Sequence, residues 1–396
     1  MGGSPPRSDL IRIAFASSYP PRRCGIASYT SDLGRASGNR EIIALTPPDH
    51  ETPYPTEVHH RIRRDVVDDY VRVARSLSGC RVDVVSIQYD ASIWGGDDGA
   101  FVLDFVHALH LPAVTTIHAL TRRPTPAQRR VVGELADASA ATVVMSQAAA
   151  GLLGKAYGLD RGRIDVIPHG VPDLPLVEPA QAKASLSLGE APFLLSFGLL
   201  GPGKGFELAI AAMPAVVAAV PSARYLILGP THPDLLRQEG ETYRRALVDQ
   251  VRKLGLAANV ELVDRFVGRT ELGRWLQAAD IFVTPYPNLD QTVSGTLSHA
   301  MGAGKAIVST PFAYASELLA GGRGILAKPD PAALAAAFIG LLGDPLKRAA
   351  IGGRAHAYSR DMLWPGVGQR YGELFERITR TQTRPIRRPI LESANA

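Results

Sequence analysis

A segment between residues 284 and 319 contains the residue types that most directly suggest chemistry. Ser294, Gly295 and Thr296 stand where a helix of small apolar residues, 297–303, is predicted to begin. The first amide groups of a helix have no partner within the helix, and with the helix dipole they attract anions. The segment therefore predicts a phosphate site at a helix start. An ordinary strand-to-helix crossover is the alternative.

A lysine in a glycine-rich loop predicts a second contact to an anion. Lys204 belongs to the run Gly201-Pro-Gly-Lys-Gly, directly after a predicted strand at 193–197. Glycines allow the backbone to approach an anion closely, and the ammonium group can neutralise phosphate charge. The spacing differs from that of a P-loop. Lys204 is therefore predicted to meet a phosphate, with a solvated loop lysine as the alternative.

Two loops in the first half also come directly after predicted strands, as the Lys204 loop does in the second half. One loop holds Arg22, Arg23 and Gly25, and the glycine predicts a tight turn that faces the same ligand. His118 follows a predicted strand at 113–117, where ligand-facing residues lie in parallel sheets. A plain turn glycine and a histidine that only caps its strand are the alternatives.

Further polar residues follow another predicted strand of the first half. Gln88, Asp90 and Trp94 are predicted to contact a hydroxyl-rich substrate. The neighbouring Asp97 and Asp98 fit either this role or helix capping.

Other kinds of catalytic site find less support. His59 and His60 are adjacent, and no cysteine or carboxylate pattern completes a zinc site around them. They are therefore interpreted as surface residues. Neither a Gly-x-Ser-x-Gly elbow nor a Cys/His pair with an orienting partner is present, so hydrolytic triad chemistry is not expected.

The elements that must position these residues alternate regularly. Each half begins with a short apolar strand, a glycine-containing loop and a helix. Further strands are predicted at 42–45, 82–88, 113–117, 141–145, 163–167, 224–228, 260–263, 281–284 and 306–309. Helical patterns lie at 66–77, 99–109, 125–136 and 206–220. This alternation predicts an α/β protein with two doubly wound parallel sheets and a ligand cleft between their carboxyl ends.

Length and composition agree with such a protein. A chain of 396 residues exceeds the usual size of one core, so two domains are expected. The polar N-terminus lacks the apolar core of a signal peptide, and no apolar run reaches the roughly 20 residues of a membrane span. Two cysteines, Cys24 and Cys80, provide no disulfide framework, which favours a cytoplasmic location. A net charge of +5 suits an anionic ligand but is weak support.

The domain boundaries follow from composition and periodicity. Proline-rich residues 168–179 are interpreted as the linker, which predicts a first domain at 1–175 and a second at 176–360. Residues 361–380 have helical spacing and are predicted to dock back on the first domain. The basic tail at 381–396 is interpreted as a flexible end, with a membrane or nucleic-acid patch as the alternative.

The motifs together resemble retaining glycosyltransferases of family 4 (glycosyl transferases group 1). The resemblance implies the GT-B architecture, in which the first domain binds the acceptor and the second binds a nucleotide sugar. It extends over nearly the whole chain, and no single motif would be specific. The motifs that carry it are residues 20–27, Ile167-Pro-His-Gly-Val-Pro-Asp, Phe197-Gly-Leu-Leu-Gly-Pro-Gly-Lys-Gly, Ala300-Met-Gly-Ala-Gly-Lys-Ala-Ile-Val-Ser-Thr and Glu317-Leu-Leu.

Several positions depart from the family pattern. The resemblance implies a glutamate that contacts the donor sugar and, eight residues later, one that holds the ribose. Here these positions are Gln291 and His299. The usual diphosphate arginine is replaced by Leu199, which leaves Lys204 from that pair. The resemblance places the nucleotide base near Arg265 and Phe266.

The implied activity is transfer of a sugar, with retention, from a UDP- or GDP-sugar to an acceptor hydroxyl. No metal and no cofactor are expected. The resemblance assigns catalytic roles to three residues: His118, Lys204 and Gln291. Donor contacts are assigned to Gly25, Lys204, Arg265, Phe266, Gln291, Ser294, Gly295, Thr296 and His299. Acceptor contacts are assigned to Arg22, Arg23, Gln88, Asp90 and Trp94.

Two rivals remain beside this interpretation. One is a GT-B epimerase, and the other is a nucleotide-sugar-binding protein without transferase activity, which the departures at Leu199, Gln291 and His299 motivate. Nucleic acid is not an expected partner, because aromatic residues are not interleaved with the basic ones. Contact with a membrane stays open.

Overall fold

The first half of the chain forms a parallel sheet. The computed structural model describes residues 11–38, 40–48 and 53–382. The strands of this sheet are β1 (Ile13–Ser17), β2 (Arg40–Thr46), β3 (Val58–Arg63), β4 (Val84–Tyr89), β5 (Ala113–Ile117), β6 (Ala141–Val144) and β7 (Ile164–Val166). Their order is β3-β2-β1-β4-β5-β6-β7, with parallel pairing throughout. Because the order reverses at β1, a crevice opens beside its carboxyl end.

The second half repeats this arrangement. Its strands are β8 (Phe193–Phe197), β9 (Arg224–Leu228), β10 (Val260–Val263), β11 (Ile281–Thr284), β12 (Ala306–Ser309) and β13 (Ile325–Leu326). They pair in parallel in the order β10-β9-β8-β11-β12-β13. The central strands are buried along their whole length, as continuous apolar runs in parallel sheets require. The predicted two-domain α/β fold is confirmed.

Helices cover both faces of the two sheets. In chain order they are α1 (Gly25–Ala36), α2 (Val67–Ser76), α3 (Phe101–Ala108), α4 (Pro126–Ala138), α5 (Gln147–Tyr157), α6 (Pro179–Ser185), α7 (Phe206–Ala219), α8 (Pro233–Glu239), α9 (Thr242–Lys253), α10 (Arg269–Ala278), α11 (Gly295–Gly302), α12 (Ala313–Leu318), α13 (Pro331–Leu342), α14 (Pro345–Ser359) and α15 (Trp364–Gln382). Several begin at residues that favour helix starts. Thr125 and Gln128 form a reciprocal capping box, and Asp330 caps α13.

The last helix ties the end of the chain to the first domain. Helix α15 packs on α1, and the hydroxyl of Tyr371 bonds to those of Tyr29 at 3.0 Å and Thr116 at 2.9 Å. One buried apolar cluster contains Phe15 of the first sheet, Phe282 of the second and Tyr371. The domains therefore share a hydrophobic core through this helix.

Some elements were not predicted. Strand β3 is an edge strand with the sequence Val-His-His-Arg-Ile-Arg, which has no apolar run, and β13 has only two residues. Seven helices were also not predicted: α5, α6, α8, α9, α10, α13 and α14. The predicted tail lies outside the described residues apart from the end of α15. None of the helices in the described parts of the chain is long and apolar enough to cross a bilayer.

The contact between α1 and α15 leads to a stability prediction. A Cβ atom added to Gly368 would lie 2.4 Å from the carbonyl oxygen of Ala36, whereas one added to Gly372 meets nothing within 4 Å. Gly368→Ala is expected to destabilise the protein by about 1–3 kcal/mol through overpacking. Gly372→Ala should be neutral or stabilising by up to about 1 kcal/mol, because alanine favours helix. Thermal unfolding of both variants tests this, and equal shifts would contradict it.

Candidate active site

The carboxyl ends of both sheets face one cleft, and the sequence-predicted residues lie in the loops that leave these ends. Arg22 follows β1, His118 follows β5 and Lys204 follows β8. Ser294 precedes α11 in the segment after β11. Parallel strands thus bring residues from distant parts of the chain to one place.

The start of α11 is the centre of a polar cluster. The Ser294 hydroxyl accepts the amide of Leu297 as a helix cap, and lies 3.1 Å from the Thr296 hydroxyl. The Thr296 hydroxyl is also 2.7 Å from that of Tyr286. Since a cap accepts only one of the first helical amides, the Gly295 and Thr296 amides are available to an anion.

Lys204 belongs to the same cluster. Its ammonium nitrogen lies 4.6 Å from the centre of the Tyr286 ring. Burial raises the pKa of Tyr286, but the charge of Lys204 and the hydroxyls of Ser294 and Thr296 outweigh it and leave that pKa below its ordinary value. Gly205 allows this approach: its φ is +65°, and a Cβ atom would lie 2.0 Å from the Pro285 carbonyl oxygen.

Arg22 of the first domain reaches across to the second domain. Its side chain is only 10% exposed and lies 3.7 Å from the Asp234 carboxylate of α8. Asp234 is also paired with Arg237, and the buried Nη1 of Arg22 has no hydrogen-bond partner in the described residues. The predicted acceptor residue is thus directed at the second domain.

The surroundings of His232 reveal the charge of this part of the cleft. Burial is the largest cause and lowers the pKa of His232. The Asp234 carboxylate raises this pKa, whereas three basic groups lower it further: Arg22, Lys204 and Arg237. A neutral histidine among three cations and one carboxylate leaves a net positive region, which favours an anionic ligand.

Three buried histidines line the space between the domains. Tyr29 packs edge-on against His118 and His169, with ring centres 4.9 and 5.1 Å apart, and His169 lies 5.9 Å from His299. Burial is the largest cause that lowers their pKa values, to about 3 for His118, about 4 for His169 and about 3 for His299. All three rings are therefore neutral at physiological pH.

Hydrogen bonds fix two of these rings. The Gln88 amide donates to Ser86 at 3.0 Å, so its oxygen accepts from Nε2 of His118 at 2.9 Å. His118 then keeps Nδ1 as an acceptor. Nδ1 of His169 donates to the Gly170 carbonyl at 2.8 Å, which leaves its Nε2 as an acceptor; a Cβ atom added to Gly295 would lie 2.9 Å from this nitrogen.

The other predicted acceptor residues lie in different surroundings. The prediction that Trp94 contacts the substrate was wrong. Trp94 is only 2% exposed, packs between core aromatics and donates its indole N–H to the backbone carbonyl of Gln88, so a substrate cannot reach it. Asp90 accepts from the amide and hydroxyl of Ser92, as in a turn. Arg23 lies 6.0 Å from the Phe266 ring, across the domain boundary.

The remaining predicted donor residues lie in the second domain, except for Gly25 in the first. Gln291 bonds to the Val293 carbonyl at 2.9 Å. Arg265 pairs with Glu271, and Phe266 is 47% exposed. Gly25 begins α1, whose start has no side-chain cap in the described structure.

Several contacts hold the domains against each other around the cleft. The Ser146 hydroxyl donates to the Thr292 carbonyl at 3.1 Å, and Arg122 pairs with Asp290 at 3.0 Å. Glu317 of α12 accepts the first amides of α5, from Gln147 at 3.0 Å and Ala148 at 2.8 Å. The two domains are thus in direct contact around the cleft.

Sequence reasoning missed His169, Tyr29, Tyr286 and Asp234. His169 belongs to the motif Ile167-Pro-His-Gly-Val-Pro-Asp, so the sequence did contain an indication of its role. Tyr29 and Tyr286 look like ordinary core tyrosines in the sequence, and Asp234 has no distinguishing neighbours.

Comparisons with solved structures identify the class of fold. Anabaena HepE in complex with UDP aligns with a TM-score of 0.75 at 17% identity, over 93% of this chain and 100% of that one. Sucrose-phosphate synthase from Thermosynechococcus elongatus aligns with a TM-score of 0.77 at 17% identity and the same coverage. The protein therefore has the GT-B fold of two facing Rossmann-like domains.

Family models and curated relatives identify the family. Residues 25–173 match the model "Glycosyltransferase Family 4", and residues 191–344 match "Glycosyl transferases group 1". The GDP-mannose-dependent monoacylated alpha-(1-6)-phosphatidylinositol monomannoside mannosyltransferase of Corynebacterium glutamicum is 24% identical over 92% of this chain and 97% of its own. The chain belongs to glycosyltransferase family 4.

Other relatives align over shorter parts. The D-inositol 3-phosphate glycosyltransferase of Segniliparus rotundus is 32% identical over 45% of this chain. That of Kineococcus radiotolerans is 30% identical over 69%. The chain spans 41% and 66% of these relatives' lengths, respectively.

The neutral histidines predict a dependence of stability on pH. Since their pKa values are lowered on folding, the unfolded chain takes up protons first as pH falls below about 6.5. Stability should therefore decline from about pH 6.5 toward pH 4, by up to about 1.4 kcal/mol per pH unit for each histidine. Denaturant unfolding at several pH values should give a shallower slope for His169→Gln. His59→Gln, at an exposed site, should retain the wild-type slope; equal slopes in all three would contradict the prediction.

Proposed function

We propose that the protein is a retaining glycosyltransferase that moves a hexose from a UDP- or GDP-sugar to an acceptor hydroxyl. The observation that carries this proposal is the position of Lys204 at the polar start of α11, with Arg22 of the first domain acting, like Lys204, on the nearby His232. Such an arrangement suits a diphosphate, whose negative charge increases when the sugar departs. The second domain would bind the donor and the first the acceptor.

The charges also support a mechanism. In glycosyl transfer the leaving group is a nucleoside diphosphate, and the cations and helix amides would stabilise it without a metal. Gln291, at the position of the donor-sugar contact, cannot act as a carboxylate nucleophile, which favours transfer on the same face over a covalent glycosyl-enzyme. The leaving phosphate would then take the acceptor proton.

His118 would act on the donor sugar as a neutral ring. Gln88 fixes its orientation, so Nδ1 would accept a hydrogen bond from a sugar hydroxyl. His299 would bond a ribose hydroxyl as a neutral group. The nucleotide base would lie near Arg265 and the exposed Phe266, which stacking would suit. Closure of the domains would exclude water and limit donor hydrolysis.

The relatives suggest which substrates to test first. HepE has been crystallised with UDP-glucose, and the Corynebacterium relative is described as GDP-mannose-dependent. Both bases therefore belong in the test panel. Inositol phosphates and phosphatidylinositol mannosides are the acceptors to try. The proposed location is the cytoplasm, and a lipid acceptor would require contact with a membrane.

A nucleotide-sugar-binding protein or an epimerase is the second candidate. The observations that favour it are Leu199, Gln291 and His299, which lack the charges of the family pattern. Tight donor binding without transfer or hydrolysis would support a binder. Interconversion of the sugar without transfer would support an epimerase.

Lys204→Ala tests the role of charge in the reaction. Loss of one stabilising group in a cleft of this kind is expected to lower kcat by about 100- to 1,000-fold. Lys155→Ala, at an exposed position of α5, is the matched control and should retain activity. Initial rates at saturating and at limiting donor measure both effects. Unchanged transfer by Lys204→Ala under both conditions would contradict the proposed mechanism.

Arg22→Met tests whether the first domain also holds the diphosphate. Hydrogen bonds to charged groups contribute about 1.5–3 kcal/mol, so binding of UDP or GDP should weaken by about 10- to 150-fold, with a smaller effect on UMP or GMP. Calorimetric titration measures this difference.

Arg122→Met is the control for that experiment, because it also removes an ion pair between the domains but at a side chain that is more exposed. It should leave the preference for diphosphate over monophosphate intact. A preference unchanged in Arg22→Met would return Arg22 to the acceptor side.

A further inference from the structure

Three potential metal ligands converge at the outer edge of the first sheet. They are Glu41 on β2, His60 on β3 and Cys80 after α2, and all are half-buried. Nε2 of His60 lies 3.9 Å from the Glu41 carboxylate and 3.9 Å from the Cys80 sulfur. One donor atom from each lies within 4.8 Å of the other two.

A bulge in β3 brings His60 to this position. Val58 pairs with Ile42 and His60 with Ile43, so His59 is an extra residue in the edge strand. Side chains alternate between the faces of a sheet, so Glu41 and Ile43 share a face, and His60 shares it as the partner of Ile43. Without the bulge, His59 would pair with Ile43 and His60 would point to the other face. The interpretation of His60 as a surface residue was therefore wrong.

A tight turn supplies the third group. The chain leaves α2 through the short 3-10 turn Leu77–Gly79 and becomes extended at Cys80. Cys80 is a free cysteine, and its sulfur lies 3.5 Å from the Ser76 carbonyl oxygen. The turn thus brings a thiol to the sheet face that carries Glu41 and His60.

The donor types and their spacing suit one kind of ion. A thiolate, an imidazole and a carboxylate are ligands of Zn²⁺, which binds sulfur at about 2.3 Å and nitrogen at about 2.0–2.1 Å. At a tetrahedral angle these bonds separate sulfur from nitrogen by about 3.5 Å. The observed 3.9 Å requires only a small adjustment of the side chains.

We propose that Glu41, His60 and Cys80 form a site for Zn²⁺ or a similar divalent cation, with water as the fourth ligand. Glu41 and His60 lie in the early parts of their strands, whereas the cleft is formed at the carboxyl ends. The ion would fasten the polar edge strand β3 to β2 and to the turn after α2. Its role is structural and separate from sugar transfer.

Titration with Co²⁺ under reducing conditions tests the site in the full chain. A cobalt–thiolate charge-transfer absorption is expected at one equivalent, with the visible bands of tetrahedral cobalt. Cys80→Ser should abolish the thiolate absorption. Glu41→Gln should weaken binding by at least the roughly 10- to 100-fold that loss of a supporting partner costs. Metal-free variants with wild-type circular dichroism spectra exclude misfolding as the cause.

Two residues of the same chain provide matched controls. Cys24→Ser removes the other cysteine, and His59→Gln removes the neighbouring histidine; neither should change the cobalt spectrum. Zn²⁺ should also raise the unfolding temperature of the wild type but not of Cys80→Ser. No thiolate absorption in the wild type, or one that persists in Cys80→Ser, would overturn the proposal.

Discussion

The cleft depends on the hydrophobic core that the two domains share. In each parallel sheet the site loops leave the carboxyl ends of the strands, but nothing within a single sheet orients these ends toward the other domain. Helix α15 fixes this orientation, since it leaves the second domain and buries Tyr371 against Tyr29 and Thr116 of the first. The apolar cluster around it includes residues of both sheets. Burial of this apolar cluster stabilises the arrangement in which the polar loops of the two domains face each other.

The cleft separates its charged groups from its neutral ones. Lys204 lies where the α11 start can add its own positive field, and Arg22 lies beside Asp234 of α8. His118 and His169 lie beside Tyr29, and His299 lies beside His169; burial keeps all three uncharged. Such a division suits a ligand with a charged end and a hydroxyl-rich end. It also explains how a cleft without the family's two glutamates can remain polar, because neutral rings and the Gln291 amide provide hydrogen bonds without charge.

The sequence predicts most strands well but misses two of the edge strands. Strands β5, β8, β9, β10, β11 and β12 have the predicted bounds, because most of them are continuous apolar runs. The edge strand β3 lacks such a run, and its bulge reverses the direction of His60 in a way that no spacing indicates. Among site residues, Lys204 and the α11 start follow from local pattern. Trp94 was misplaced because a buried tryptophan and a ligand-facing one look alike in a sequence.

Glu317 gives the contact between the domains an unusual property. Its carboxylate caps α5, a helix of the opposite domain, by accepting the Gln147 and Ala148 amides. Helix caps normally belong to the same local segment, so their strength does not depend on distant geometry. Here, α5 keeps its local cap, because the Ser146 hydroxyl accepts the Ala149 amide, but separation of the domains would remove the bonds from Glu317 to the Gln147 and Ala148 amides. The hydrogen-exchange rates of the Gln147 and Ala148 amides should therefore increase with the fraction of molecules in which the domains are separated.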